Sequence, residues 1–324
     1  MSVKIFSPQD FPAYLPKLNS LYDDLFAGGK GFRSKLIQIV SKPLKVPSET
    51  EALLCQTIEF IHNASLLHDD LIDRSQLRRG KPAAWTKYTP EYAVLAGDYL
   101  LARVMVNLSG HGNIKLVQYT SETISDLLEG EWLQDSVVGD FFISVPQLDR
   151  IHNLKTASLF KWCLKAPFIA LENYDKEIHT ILDEMGTLLG QLFQRSDDLL
   201  DYDIRNDEGK AILGDLKSGY LNSFGAFVAS DMSRPEIDKM VKSKDLNDFY
   251  LIFANDAAAG KEKFLQKVNQ FDAINVDKIK LYHHYVQQLQ TKLVALKLDE
   301  TSTQQLITIL NSLTDLLYFR KKSS

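Results

Sequence analysis

Apolar side chains recur along most of the chain at intervals of three and four. That spacing lays a single stripe along an α-helix. It predicts helices over 48–70, 91–108, 115–134, 146–165, 176–200, 233–241, 245–254, 261–269, 276–296 and 300–319. Ser48, with Glu51 three residues on, reads as a capping box at the start of the first of these. The 91–108 stretch is apolar nearly all round, which predicts a buried helix. Period-two runs of β-branched residues are almost absent, and no Asn-Gly or Asp-Gly turn occurs. Two polar stretches, 73–90 and 201–222, read as loops. No linker-like composition divides the chain, so the pattern predicts one all-α domain over 1–324.

Length alone gives a different prior, because 324 residues at roughly 150 per domain suggest about two domains. The composition is globular, with 45% apolar and 24% charged residues, so disorder is excluded. There are 37 basic and 42 acidic side chains, a net charge of −5. That argues against binding nucleic acid through a broad basic face. Two cysteines, Cys55 and Cys163, supply neither a disulfide framework nor a four-cysteine zinc site. No apolar run approaches the ~20 residues that span a bilayer, and residues 1–10 lack a signal-peptide pattern. The expectation is a soluble cytoplasmic protein with no transmembrane segment.

One motif changes this bland picture. Asp69-Asp70-Leu71-Ile72-Asp73 and Asp197-Asp198-Leu199-Leu200-Asp201 both read D-D-x-x-D. At average aspartate usage, one such match arises about 0.07 times by chance in a chain of this length. Both matches end strongly apolar helical stretches. Helix C-termini carry negative partial charge and prefer cations, so three carboxylates there repel the helix and one another. Bound cations would remove that repulsion. Asp69 and Asp73 share a helical face, with Ser65 four and His62 seven residues before Asp69. In the second motif, Asp197 and Asp201 share a face; Gln194 lies four before Asp198, and Gly190 four before Gln194. Carboxylate oxygens are hard ligands that suit Mg²⁺ bridged to phosphate better than zinc or copper. Lys30, Arg33, Arg78, Arg79, Lys155 and Lys210 flank the motifs and would suit a polyanionic phosphate ligand.

In order along the chain stand GGKGFR (28–33), EFIHNASLLHDDLID (59–73), RRGKPA (78–83), VLAGDYLLA (94–102), LKTASLF (154–160) and GQLFQRSDDLLDY (190–202). With these marks the chain resembles the trans-prenyltransferases, the polyprenyl diphosphate synthases. The resemblance implies a single antiparallel helix bundle around a central cavity, of the isoprenoid synthase type, usually as a homodimer. It implies condensation of isopentenyl diphosphate with an allylic prenyl diphosphate. Lys30, Arg33, His62 and Arg79 would bind the isopentenyl diphosphate. Asp69, Asp73, Asp197 and Asp201, supported by Asp70 and Asp198, would hold about three Mg²⁺ ions on the allylic diphosphate. Arg78, Lys155 and Lys210 would contact that diphosphate, and Thr156 and Gln194 would place oxygens near the developing cation. Bulky side chains just before the first motif stop chain growth early in this family. Ala64 and Ser65 are small, which implies a medium- or long-chain product, with Phe60 and Ile61 as a deeper floor.

The sequence departs from the family at 219–222. A Gly-Lys-x-Thr stretch is usual there, and this chain has Gly219-Tyr220-Leu221-Asn222. One expected cation is replaced by Tyr220, and Lys217 reads as a surface lysine rather than a substitute. The departure keeps open a non-catalytic or weakly active partner subunit of a heteromeric synthase. A class I terpene cyclase shares one aspartate motif but not the second, nor the GGK and RRG cations. A His-Asp phosphohydrolase, suggested by His68-Asp69, lacks further histidine ligands: His62 is about 120° off the face of His68.

Overall fold

The computed structural model describes residues 9–20, 31–78, 80–203, 212–296 and 300–318. Lys30, Arg79 and Lys210 lie outside the described residues. Helices dominate, and they group into two compact units. Unit 1 comprises Met1–Leu127, Leu159–Gly186 and Leu289–Ile309; unit 2 comprises Leu128–Ser158, Thr187–Gln288 and Leu310–Ser324.

In unit 1, after a helical stretch at 16–20, come α1 (Phe32–Leu44) and α2 (Ser48–Ile72). A two-residue hairpin follows, β1 (Leu77–Arg78) paired antiparallel with β2 (Lys81–Pro82), then the short α3 (Ala84–Lys87) and the long α4 (Pro90–His111). Helix α2 packs between α1 and α4. The seam is built from Leu36, Ile37 and Val40, then Leu54, Ile58 and Ile61, then Ala93, Leu100 and Val104, all essentially inaccessible. Gly97 lets α4 approach α2, because a Cβ there would come within 2.2 Å of the His68 ring.

Unit 1 differs from the sequence pattern in several details. Helix α1 was hidden because buried Ser34 and Ser41 interrupt its apolar stripe and Pro43 sits in its last turn. The capping box at Ser48 does not form: Pro47 takes the N-cap in an extended conformation, and Ser48 is already helical. Helix α4 is not buried all round. Ala93, Ala96, Gly97, Leu100, Val104 and Leu108 face the core, whereas Val94, Leu95 and Val106 are exposed.

Helix α5 (Ile114–Ser136) runs from unit 1 into unit 2. Helix α6 (Val145–His152) then leads without a break through a wide π-type turn (Asn153–Ala157) into α7 (Ser158–Ala170). The Ser158 N–H donates to the carbonyl of Asn153, five residues back, which defines the wide turn. The helix carrying the second aspartate motif is α8 (Lys176–Leu200). Next come α9 (Gly214–Lys217), α10 (Ser223–Ala229), α11 (Arg234–Val241) and α12 (Leu246–Tyr250). The last described elements are α13 (Ala257–Ala295) and α14 (Glu300–Tyr318). Helix α13 is continuous over 39 residues where the pattern predicts two helices. The apparent gap arises because Asn275, though polar, is fully buried.

The core of unit 2 is aromatic. Tyr202, Phe224, Phe249, Phe264 and Phe271 stack with neighbouring ring centroids 4.9 to 6.0 Å apart. Tyr202 directly follows Asp201, so this cluster anchors the end of the second motif.

Candidate active site

In unit 1, the first aspartate motif forms the last turn of α2. His62, Ser65 and Asp69 make a partly accessible stripe that reaches the exposed Asp73, while Ala64 and Asp70 are buried. Of the two small residues expected to lie beneath the motif, Ser65 is thus on the accessible stripe and Ala64 is not. The Ser65 hydroxyl is turned back onto the His62 carbonyl at 2.9 Å. Asp70 is held by Arg78, whose Nε donates to both carboxylate oxygens at 2.9 and 3.1 Å and whose Nη2 adds a further bond. The hairpin exists where it does partly to return Arg78 to α2. Arg33 of α1 lies with Nη1 3.1 Å from His62 Nε2, and its guanidinium is 5.8 Å from the centre of the Phe160 ring. The structure therefore joins two of the four residues assigned to isopentenyl diphosphate.

In unit 2, the wide turn and α8 build a continuous polar chain. Thr156 donates to Gln194 Oε1 at 3.1 Å, and Gln194 Nε2 donates to Asp198 Oδ1 at 2.9 Å. The other Asp198 oxygen accepts from the backbone N–H of Ser223 at 2.9 Å and from its hydroxyl. Burial pushes the Asp198 carboxyl above the usual carboxylate range, and the bonds from Ser223 and Gln194 offset part of that. Asp201 Oδ1 accepts from the Gly214 N–H at 2.8 Å. That bond requires the left-handed Leu213 (φ 55°), an uncommon conformation for a residue with a side chain. Lys155 is half-buried, ion-paired with Glu131 and bonded to Gln134 at 3.2 Å on α5.

Two glycines let these elements meet. A Cβ at Gly190 would lie 2.4 Å from the Ala157 backbone, and one at Gly130 would lie 2.6 Å from the Lys155 side chain. The wide turn is therefore pressed between α5 and α8. His152, just before it, is fully buried and its pKa is lowered to about 4, chiefly by desolvation, so it stays neutral near pH 7.

The departure at 219–222 acquires a structural account. Asn222 caps α10, accepting from the Gly225 N–H at 2.9 Å, and its amide donates to Asp215 at 2.9 Å and to the Asp198 carbonyl at 3.2 Å. Asparagine is among the best N-caps, so its presence there is locally favourable. Tyr220 is half-buried, and Gly219 takes the left-handed conformation (φ 85°) that the turn demands. Lys217 is exposed and donates to the Ile212 carbonyl at 2.9 Å, in keeping with the surface reading. It lines a groove of about 530 Å³ with Lys244, Tyr250 and Lys261, which includes none of the expected site residues.

Among the described residues, no three His, Cys, Asp or Glu side chains converge as a ready-made cage. The two motifs offer carboxylate oxygens, the hard donors that Mg²⁺ prefers, and Mg²⁺ commonly takes one or two carboxylates plus substrate phosphates. The residues present fit that mode of binding. Glu131, Gln134 and Ser223 were missed in the sequence because their partners lie 21 to 25 residues away, with no shared periodicity.

The all-α fold is of the isoprenoid synthase type. A crystal structure of polyprenyl synthase from Caulobacter crescentus CB15, complexed with calcium and isoprenyl diphosphate, matches with a TM-score of 0.72 at 25% identity, covering 96% of this chain and 90% of that one. Residues 15–249 match the model of the polyprenyl synthetase family. The prenyl transferase of Synechocystis sp. is 33% identical over 264 residues, 80% of this chain and 78% of that protein. The decaprenyl-diphosphate synthase of Dictyostelium discoideum is 35% identical over 232 residues, 71% of this chain; the match spans 49%, about half, of that relative's length. The chain belongs to the polyprenyl synthetase family.

Proposed function

We propose that the protein is a prenyltransferase that extends an allylic prenyl diphosphate head-to-tail with isopentenyl diphosphate, in a Mg²⁺-dependent reaction, to a medium- or long-chain all-trans product. The observation that carries this reading is the Thr156–Gln194–Asp198–Ser223 chain, which fixes the second aspartate motif beside a half-buried lysine on a π-type turn. Such turns are rare and recur at functional sites.

In this reading Asp69, Asp73, Asp197 and Asp201 hold the metal, and Asp70 and Asp198 orient the motifs through Arg78 and Ser223. Mg²⁺, when bound, neutralises diphosphate charge and makes it a better leaving group. Lys155, Lys210 and Arg78 add positive charge to the departing diphosphate, which is stabilisation aimed at charge developing in the transition state. Thr156 and Gln194 present oxygen atoms to the developing allylic cation. Arg33 and His62, with Lys30 and Arg79, hold isopentenyl diphosphate so that its double bond attacks that cation, and a proton is then lost to the released diphosphate. No protein nucleophile takes part.

Product length rests on small Ser65 and Ala64 and on the relative named a decaprenyl-diphosphate synthase. We further infer a homodimer, because α4 leaves Leu95 and Val106 exposed on one face, and a single cytoplasmic catalytic domain spanning 1–324. Among the described residues no helix is long and apolar enough to cross a membrane.

The test is to incubate purified protein with labelled isopentenyl diphosphate and geranyl, farnesyl or geranylgeranyl diphosphate, then size the products. Products longer than geranylgeranyl diphosphate, formed with Mg²⁺ and abolished by chelator, are expected. Release of terpene hydrocarbon, or no incorporation with any primer, rejects the reading. Incorporation that appears only on adding a second subunit would instead favour the partner-subunit role left open by Tyr220.

A further inference from the structure

Arg195 is 2% exposed, and its guanidinium makes a set of bonds that neither the aspartate motifs nor their flanking cations explain. Nη2 donates to both oxygens of Asp149 at 3.0 and 2.9 Å, and Nη1 donates to Asn275 Oδ1 at 2.9 Å. The guanidinium also stacks 5.5 Å from the centre of the Phe271 ring. Asn275 in turn donates to the Tyr318 hydroxyl at 2.7 Å, and that hydroxyl donates to Asp272. The Tyr318 carbonyl accepts from Ser196 at 3.3 Å. Lys278 approaches Asp149 at 3.9 Å and donates to Gln191 at 2.6 Å.

These contacts converge on one stretch of α8. Residues 191, 195 and 196, which precede Asp197 and Asp198, tie α8 to three helices: Gln191 and Arg195 to α13, Arg195 also to α6, and Ser196 to α14. Asp149 is the important partner, because it lies on α6, which runs straight into the turn bearing Lys155 and Thr156. Gln194 reaches Thr156 on that turn, and Arg195 reaches Asp149 one helix earlier. Two bonds from adjacent residues therefore fix both the height and the rotation of α8 against the turn. The guanidinium is held from two sides, by Asp149 on Nη2 and by Asn275 on Nη1, which constrains its orientation as well as its distance, whereas a single amide–hydroxyl bond does not.

We propose that Arg195 is a positioning residue for the second aspartate motif: locked by Asp149 and Asn275, it sets the rotation of α8 at which Gln194 and Asp198 meet Thr156 and Ser223. The proposal deepens, and rests on, the reading of this face as the allylic diphosphate site. Loss of Arg195 removes the ties that fix the rotation of α8 against the turn. The effect falls on binding of the magnesium–diphosphate ligand, not on isopentenyl diphosphate, whose assigned described residues lie in unit 1.

The experiment compares the full chain with Arg195→Met, Arg195→Lys and Tyr318→Phe. Calorimetry with Mg²⁺ and inorganic diphosphate gives a binding constant independent of turnover, and steady-state kinetics gives KM for each substrate. For folded Arg195→Met, about tenfold weaker magnesium–diphosphate binding is expected, with a matching rise in KM for the allylic substrate and an unchanged KM for isopentenyl diphosphate. Arg195→Lys keeps one charged bond to Asp149 and should recover part of the loss. Tyr318→Phe, which frees Asn275 by one hydroxyl, should show a smaller change in the same direction; it decides the matter if Arg195→Met does not fold. Wild-type binding in folded Arg195→Met, or equal rises in both KM values, overturns the proposal. If the wild-type chain binds magnesium diphosphate but transfers no prenyl group, the functional reading fails, while the calorimetric comparison still judges Arg195. A wild-type chain that binds no magnesium diphosphate overturns both.

Discussion

Asp70 accepts from Arg78, Asp198 from Ser223 and Gln194, and Asp201 from the Gly214 backbone. These bonds hold both motifs in place against neighbouring segments of the chain. The aspartates themselves were legible because their spacing and their cost at a helix C-terminus are sequence-level facts. Ser223 was not, because one hydroxyl bonded across 25 residues leaves no pattern. Asn222 was legible only as a departure, and its capping role needed the backbone. At the neighbouring Tyr220, restoring a lysine should strengthen allylic diphosphate binding, since a charged contact contributes about 1–3 kcal/mol. Tyr220→Lys is therefore expected to lower KM for the allylic substrate several-fold, with KM for isopentenyl diphosphate unchanged. An unchanged or raised allylic KM in steady-state assays would show that the lysine side chain does not reach the ligand.

The long helices were read from periodicity alone because each keeps one apolar stripe over several turns. Elements whose stripe is interrupted by buried polar groups were lost: α1 through Ser34 and Ser41, and the middle of α13 through Asn275. The wide turn at Asn153–Ala157 was also invisible, because no residue type demands an i to i−5 bond. Its close approach to α8 makes Gly190 the sensitive position. Gly190→Ala places a methyl group 2.4 Å from the Ala157 backbone, inside contact distance. The favourable helix propensity of alanine does not offset such overpacking, which destabilises by about 1–3 kcal/mol. A lower urea midpoint at unchanged slope is the expected result, whereas a raised midpoint would mean that the helices separate freely. For comparing relatives, the turn acts as a one-residue insertion. A regular helix laid along 145–170 is in register on one side of it and a residue out of phase on the other.

At the scale of the whole molecule, net charge concealed its own distribution. In the proposed function a chain of charge −5 binds highly acidic substrates, because a bound cation would invert the sign of a carboxylate cluster. The apolar pattern misled in one place, since α4 reads as buried all round but leaves Leu95 at 68% and Val106 at 56% exposure. An apolar face of this kind on a globular protein marks an interaction surface. Leu95→Lys together with Val106→Glu should convert the proposed dimer to monomer in sedimentation velocity with little loss of helix content. Retained dimer would place self-association elsewhere. The division into two units has a last consequence, which concerns how such a chain can be taken apart. Each unit is assembled from three separated stretches of sequence. The contiguous fragment that holds unit 1 complete, 1–309, carries most of unit 2, and the one that holds unit 2, 128–324, still carries two stretches of unit 1, so truncation yields neither unit alone. Dissection of this molecule has to proceed one side chain at a time.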